Sequence, residues 1–192
     1  MLDRGRILEA GLELLEEDGQ HGVTMRKLAK RLDVSATAIY HYFDGREALL
    51  EAIVEHVCGR IVSETPGEGD WAERLRGLLI SMVDHLSAHP RASAWAVTAY
   101  ARRAPVLKLH DAILGVLLDA GFPADKAVRV KAAVMRLCVG HMVLNEAAGR
   151  EEVAYSAEEY PHYHAVEAAQ RRSDQQQNFL FALDALLAGI AS

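Results

Sequence analysis

Basic, hydroxyl-bearing and aromatic side chains are concentrated between residues 24 and 46, where they could bind phosphate groups and base edges. The five basic residues of this segment outnumber its two acidic residues, so the segment carries a net charge of +3. The whole chain carries −6, which leaves −9 for the remainder. Because affinity for nucleic acid comes mainly from contacts of Lys and Arg with phosphate, a basic patch on an acidic chain indicates contact with nucleic acid. The basic residues are Arg26, Lys27, Lys30, Arg31 and Arg46.

Two short helices joined by a tight turn are expected to position these side chains. Thr24 and Ser35 are typical N-cap residues, since a hydroxyl oxygen can accept a hydrogen bond from an N–H of the first helical turn. The turn falls at Asp33, a residue type that tolerates left-handed backbone better than most. A supporting amphipathic helix, closed by Gly19, precedes the pair. This order is the helix-turn-helix plan, in which the second helix of the pair enters the major groove of DNA. The three predicted helices cover about Asp3–Asp18, Met25–Leu32 and Ser35–Tyr42.

The rest of the chain also has apolar residues at helical spacing and lacks the alternating pattern of strands. Residues 64–69, rich in Gly, Pro and Glu, predict a linker. We therefore expect an all-α protein with a helix-turn-helix domain over residues 1–46, a connecting helix over 47–63 and a larger helical domain over 64–192. The further predicted helices cover about 46–62, 70–88, 90–102, 105–120, 123–148 and 173–190, with one short helix after Pro161 in an otherwise irregular segment.

Other classes of function are disfavoured by composition and motifs. With 51% hydrophobic and 25% charged residues, the chain has the composition of a soluble globular protein. Its apolar stretches fall short of the ~20 residues that cross a bilayer, and no signal-peptide run opens the sequence, so we expect a cytoplasmic protein without membrane contact. Cys58 and Cys138 are too few for a zinc site and are expected to be buried and reduced. Since no nucleophile elbow, phosphate loop or zinc-protease motif is present, we expect no enzyme, no metal ligand and no cofactor.

The stretch Gly22–Ser35, followed by Ile39–Phe43 and Arg46–Leu50, closely resembles the DNA-binding domain of the tetracycline-repressor (TetR) family of bacterial regulators. Past the linker, residues that include Trp71 and Phe122 are similar, more weakly, to the ligand-binding and dimerisation domain of tetracycline repressors. The resemblance implies an all-α homodimer with DNA-binding domains at one end and a ligand cavity in each larger domain. It further implies a regulator, usually a repressor, that an effector releases from its operator.

The resemblance also assigns the candidate DNA-binding residues. Thr24, Met25 and Arg26 match the start of the first motif helix, which touches the DNA backbone and an outer base. The positions that face bases match Ala36, Thr37, Ala38 and His41. The positions that contact phosphate match Tyr40, Tyr42 and Arg46. Since a two-fold dimer reads two half-sites related by the same symmetry, the expected partner is a near-palindromic operator in double-stranded DNA.

A homodimer is also favoured by the predicted helix Pro123–Ala148, which is apolar on more than one face. Such a helix lies either at the centre of a fold or under a second subunit. Together with the resemblance, this pattern predicts a two-fold dimer. Its interface is expected to be a four-helix bundle formed by this helix and the helix Ser173–Ile190 of both subunits.

A small-molecule effector is expected in the larger domain. Leu78, Met82 and Val97 fall where tetracycline repressors have polar or metal-binding residues, so we expect a largely apolar effector and no bound metal. Large apolar side chains interspersed with isolated polar groups are the usual lining of such a site. The candidate ligand-binding residues are Met82, Trp95, Tyr100, His110, Met135 and Asn145.

Two alternatives stay open at this point. His162 and His164, with Glu158 and Glu159 nearby, have the side chains of a metal site, although His residues in a polar loop are more typical of a solvated surface. The chain could also be a helical small-molecule-binding protein of the same fold with weak or no specific DNA binding. The basic patch of residues 24–46 argues against that second alternative.

Overall fold

A computed structural model describes residues 2–64, 69–99, 106–147 and 155–191. Over these ranges the chain forms ten α-helices and no β-strand, which confirms the all-α prediction. The first helices form the expected helix-turn-helix arrangement, and a helical region follows. The elements are α1 (Arg4–Gly22), α2 (Met25–Arg31), α3 (Ala36–Tyr40), α4 (Arg46–Glu64), α5 (Trp71–Ala88), α6 (Pro90–Ala99), α7 (Leu107–Asp119), α8 (Ala124–Ala147), α9 (Pro161–Gln170) and α10 (Gln175–Ala191).

Residues 1–131 form a compact unit in which α1 and α4 make most of the interhelical contacts. α1 packs against α2, α4 and α6, and α4 also packs against α5, α6 and α7. The fully buried side chains Leu15, Ile53 and Leu79 come from α1, α4 and α5. Burying an aliphatic side chain of this size contributes ~1.5–3 kcal/mol. The two helices that flank the helix-turn-helix in sequence, α1 and α4, therefore share a core with helices from beyond residue 64.

Residues 132–192, which contain the rest of α8 together with α9 and α10, form the second compact unit. On α10 the buried side chains Phe179, Leu183 and Leu187 follow one another at four-residue intervals, which places them on one face. The ring of His141 on α8 stacks on Phe179 with 4.7 Å between centroids. The expected domain boundary at residues 63–64 stays a prediction. In the structure, the helices on either side of it, α4 and α5, pack against each other within the first unit.

The turn between α2 and α3 takes the conformation that its sequence indicates. Asp33 has a φ of 53°, in the left-handed region. The Asp33 N–H donates to the Lys30 carbonyl at 3.3 Å, and the Val34 N–H donates to the Ala29 carbonyl at 3.0 Å. These two bonds form a Schellman motif, which satisfies the last carbonyl groups of a helix. The chain therefore reverses after α2 within two residues and begins α3 at a set angle.

Three other local expectations can be compared with the structure. Helical geometry in α1 breaks at Gly19, whose φ is 69°, as the sequence predicts. α3 ends at Tyr40, two residues before the predicted end, because the Tyr42 N–H donates to the Ile39 carbonyl in a tighter turn. Cys58 and Cys138 are both free and buried, as expected. None of the described helices is long and apolar enough to cross a lipid bilayer.

Candidate nucleic-acid interface and effector residues

α3 presents most of the residues predicted to read DNA. The Ser35 hydroxyl accepts a hydrogen bond from the Ala38 N–H at 3.2 Å and so caps the helix. Ile39 is fully buried and anchors α3 to the core, which turns the opposite side of the helix outward. Tyr40 is 53% exposed, and Tyr42, just beyond the helix, is 37% exposed. The exposed predicted residues here are Thr37, Tyr40, His41 and Tyr42, with Ala36 and Ala38 half-buried between them.

α2 presents basic side chains beside α3. The Thr24 hydroxyl accepts a hydrogen bond from the Lys27 N–H at 3.2 Å, which is the expected cap. Arg26 and Lys30 are exposed. Met25, predicted to contact DNA, is only 6% exposed, because its side chain lies in the apolar core of the domain. Its side chain therefore packs inside the protein, whereas Arg26 lies on the surface.

Carboxylates of α1 reduce the charge of the basic patch. Arg31 pairs with Glu13 at 3.3 Å and makes a shorter contact with Glu17. Lys27 pairs with Asp18 at 3.1 Å. Among the described residues, Arg26 and Lys30 are the exposed α2 cations for which no ion pair is found. The surplus of +3 counted along residues 24–46 therefore overstates the charge available for phosphate.

Arg46, predicted to contact phosphate, is bound to the protein itself. Its Nε donates to the Val23 carbonyl at 2.9 Å, and an Nη donates to the Gln20 carbonyl. Both carbonyls lie at the end of α1 or in the connection to α2. Arg46 thus ties the start of α4 to the segment that leads into the helix-turn-helix. No sequence signal distinguishes this arginine from one that contacts phosphate.

The N-terminal segment contacts the end of α3, a feature that sequence reasoning missed. The Tyr42 hydroxyl donates to the Leu2 carbonyl at 3.0 Å. The Arg4 guanidinium donates to the Tyr42 carbonyl at 3.3 Å and lies over the Phe43 ring, 4.5 Å from its centroid. Residues 2–4 therefore help to position Tyr42 at the exposed end of the interface.

A second missed feature joins α1 to α6. The Glu16 carboxylate accepts hydrogen bonds from the N–H groups of Arg91, at 3.2 Å, and Ala92, at 2.8 Å, in the first turn of α6. The Arg91 guanidinium also donates to the Glu17 carbonyl at 2.6 Å. We call these three bonds the α1–α6 contact. It connects the helix that supports the DNA-binding pair to the region beyond the linker.

The candidate effector residues are spread over both compact units. Met82 on α5, Trp95 on α6 and His110 on α7 lie in the first unit, and Met135 on α8 lies in the second. Met82, Trp95 and Met135 are buried. Burial, and secondarily the charge of Lys131, lowers the pKa of His110 and favours its neutral form.

Two of the predicted effector residues cannot be placed in the same way. Tyr100 lies outside the described residues, as does the side chain of Asn145. The predicted effector cavity therefore stays a prediction.

The histidine segment considered for metal binding includes a helix rather than only a polar loop. His162 and His164 lie on α9, where both are exposed, and none of the residues of α9 is buried. His164 Nδ1 lies 3.5 Å from Glu167. In the part of the chain that the structure describes, no three His, Cys, Asp or Glu side chains are grouped so that they could hold a metal ion.

With this geometry established, comparison with known proteins decides the family. Residues 7–53 match the family described as "Bacterial regulatory proteins, tetR family", and residues 64–192 match "Tetracyclin repressor-like, C-terminal domain". The chain belongs to the TetR family. It is accordingly a transcriptional regulator, and its helix-turn-helix lies within the first matched segment.

Similar proteins of the TetR family come from several bacteria. The tetracycline repressor protein class C of Escherichia coli is 31% identical over 169 residues, which are 83% of this chain and 77% of that protein. The class G repressor of Vibrio anguillarum is 30% identical over 98% of this chain and 93% of its own length.

Solved TetR-family structures are similar over nearly the whole chain. A possible TetR family transcriptional regulator from Streptomyces coelicolor A3(2) has a TM-score of 0.78 and 32% identity, with 98% of both chains covered. A variant of TetR from Acinetobacter baumannii AYE in complex with minocycline has a TM-score of 0.68 and 28% identity, with 100% of this chain and 97% of that chain covered.

Proposed function

We propose that this regulator is a homodimeric repressor that binds a near-palindromic operator and leaves it when a small, largely apolar effector binds. The observation that carries the proposal is the exposed side of α3. Thr37, Tyr40 and His41 point outward from a capped helix that buried Ile39 fixes to the core. Such a helix can enter a major groove while the neighbouring α2 approaches the phosphates.

The side chains of α3 suggest a division of roles. Thr37 and His41 carry sequence preference, since a methyl group can contact thymine and a ring N–H can donate to a base acceptor. Tyr40 and Tyr42 contact the DNA backbone and set the register of the helix. Arg26 supplies a positive charge for phosphate from α2.

Exposed apolar side chains of α8 and α10 support the dimer. Val143, Leu144 and Phe181 are 53%, 67% and 78% exposed in the single chain. Large apolar side chains exposed on two helices are a feature of protein–protein interfaces. A second copy of the chain would remove them from water, as the predicted four-helix interface requires.

Release by an effector is supported by the tetracycline-repressor-like match of residues 64–192 and by the relative that binds minocycline. An effector can release the protein only if it binds the conformation that cannot bind DNA more tightly than the one that can. A shift from 1% to 99% of the released form needs an affinity ratio of ~10⁴, or ~5.5 kcal/mol.

The test compares two interface variants on two DNA duplexes. An operator selected from a randomised library and a scrambled duplex are titrated with wild-type protein at two salt concentrations. Arg26→Ala should weaken binding to both duplexes and lower the salt slope by about one phosphate contact. Thr37→Ala should leave binding to the scrambled duplex intact and relax preference at one base step by ~1–3 kcal/mol.

Arg129→Ala serves as the matched control, because Arg129 on α8 is exposed and its ion pair among the described residues is with Asp125 of the same helix, at 3.5 Å. This substitution should change neither the affinity for the selected operator nor that for the scrambled duplex. Equal losses on both duplexes for Thr37→Ala would show that Thr37 does not read sequence. If selection yields no duplex that binds better than the scrambled one, the chain is a small-molecule-binding protein without operator recognition.

A further inference from the structure

An open groove with a volume of about 390 Å³ lies along α1 and α4 and includes Lys108 of α7. This volume falls within the ~300–1,000 Å³ typical of small-molecule sites. None of its lining residues belongs to the candidate DNA-binding or effector residues named above. The groove is therefore a separate feature of the first compact unit.

Basic side chains line the groove, although the whole chain has a net charge of −6. Arg4, Arg60 and Lys108 line it, together with His56. Glu55 is the one carboxylate among the described lining residues. Several cations around one concave surface attract anions by their summed potential, more strongly than single surface charges do.

Carboxylates of the protein already pair with three of these side chains, those of His56, Arg60 and Lys108. Glu9 Oε1 lies 2.8 Å from His56 Nε2 and 3.9 Å from Arg60, and Glu55 Oε1 lies 2.8 Å from Lys108 Nζ. These pairs show that the cations can hold carboxylate oxygens in this geometry. The Glu9 and Glu55 side chains are 50% and 45% exposed, so both can turn into solvent. Because exposed ion pairs are weak, an incoming anion can displace them.

The groove also has an apolar surface. Leu8 of α1 and Ala52 of α4 line it and are otherwise buried. At Gly59 of α4, an added Cβ would meet no atom within 4 Å, so space remains above the helix there. The body of a small ligand can therefore lie over α4 at Gly59 while its charged group reaches the basic side chains. We propose that this groove binds a small organic anion, a carboxylate or phosphate monoester, through Arg60, Lys108 and His56.

Ligand titration followed by NMR tests this proposal on the full chain without DNA, so the result is independent of the proposed repressor function. Benzoate and phenyl phosphate are the anionic probes, and benzyl alcohol is the neutral probe, all at constant ionic strength. The signal is the His56 ring resonance, assigned with His56→Gln. We expect a saturable shift with at least one anionic probe and none with benzyl alcohol.

Two variants should change the affinity for the anionic probe in opposite directions. The double variant Arg60→Gln/Lys108→Gln should weaken anion binding at least ten-fold, because it removes two of the three ligand contacts. Glu55→Gln should tighten binding two- to five-fold, because it removes the competing carboxylate from Lys108. Arg129→Gln on α8 is the control and should leave binding unchanged. Arg4 stays unchanged in all variants, because it also contacts Tyr42.

Each outcome of the titration either supports or overturns the proposed anion site. Binding of only one anionic probe identifies the ligand as a carboxylate or as a phosphate. The proposal is overturned if neither anion gives a saturable shift up to 10 mM, or if benzyl alcohol binds equally well. It is also overturned if Glu55→Gln fails to tighten binding, an outcome that decides the matter even if the double variant does not fold.

Discussion

Removing the carboxylate of Glu16 should measurably destabilise the first compact unit. Glu16→Ala deletes the acceptor for two N–H groups in the first turn of α6, those of Arg91 and Ala92. Ala92 is buried, so its N–H cannot readily find water instead. A comparable loss of an N-cap costs ~0.5–2 kcal/mol, and a buried donor without a partner costs ~1–3 kcal/mol. Because Glu16 itself is only half-buried, we expect a loss of about 2 kcal/mol.

The assay is urea and thermal unfolding at one fixed protein concentration, since dimerisation would make stability depend on concentration. For a chain of this length, about 2 kcal/mol corresponds to a decrease in Tm of ~4–8 °C. Glu13→Ala is the matched control. Glu13 also lies on α1, but its partner Arg31 keeps Glu17, so the expected loss is below ~0.5 kcal/mol.

A Glu16→Ala variant as stable as Glu13→Ala would refute this reasoning. It would mean that water replaces the carboxylate at the start of α6. Glu16→Gln should fall between the two, because an amide oxygen can still accept from Ala92 but carries no charge to favour the helix N-terminus.

Three further predictions follow from backbone geometry, exposure and pKa. Asp33→Val should lower stability by ~1–2 kcal/mol in urea unfolding, because a β-branched residue is strained at a φ of 53°, whereas Asp33→Gly should not. Phe181→Asp should convert the dimer into a folded monomer in light scattering, because Phe181 is 78% exposed in the single chain; a stable mutant dimer would contradict the interface. Burial raises the pKa of Cys58 to about 11 and that of Cys138 to about 12. The stability that the buried thiols contribute is therefore present below pH ~9 and declines above it, where the thiols of the unfolded chain ionise. The measurement compares unfolding of the wild type with that of Cys58→Ser/Cys138→Ser between pH ~8 and ~10.5. The same pH dependence in both proteins would contradict this prediction.

Local signals in the sequence were sufficient to predict the caps and the turn of the α2–turn–α3 segment. Thr24 and Ser35 cap their helices, and Asp33 takes the left-handed conformation, because each preference is satisfied within three residues of the chain. The end of α3 was missed by two residues. The Tyr42 N–H donates to the Ile39 carbonyl in a tighter turn, and no residue preference of Tyr42 indicates such a turn.

Long-range contacts could not be predicted in this way. Glu16 and Ala92 are far apart in sequence, and a glutamate that caps another helix has the same local pattern as a solvated one. The same holds for Arg46, whose guanidinium donates to the Val23 carbonyl, a contact with no signal in the local sequence. Effector residues are equally hard to recognise, because Met82 and Trp95 occupy apolar helical positions that suit either a packed core or a ligand site.

The α1–α6 contact has a consequence for building hybrid regulators. A chimera that joins residues 1–63 of this chain to the body of a relative would keep Glu16 but take its sixth helix from the other protein. The bond to the Glu17 carbonyl is lost unless that helix has an arginine at the position of Arg91. The two backbone bonds to Glu16 are lost unless the first turn of that helix lies in the same place against α1. Transfer of the exposed residues of α3 alone, such as Thr37 and His41, leaves the junction native. Operator preference is therefore better transplanted by side chains than by whole domains.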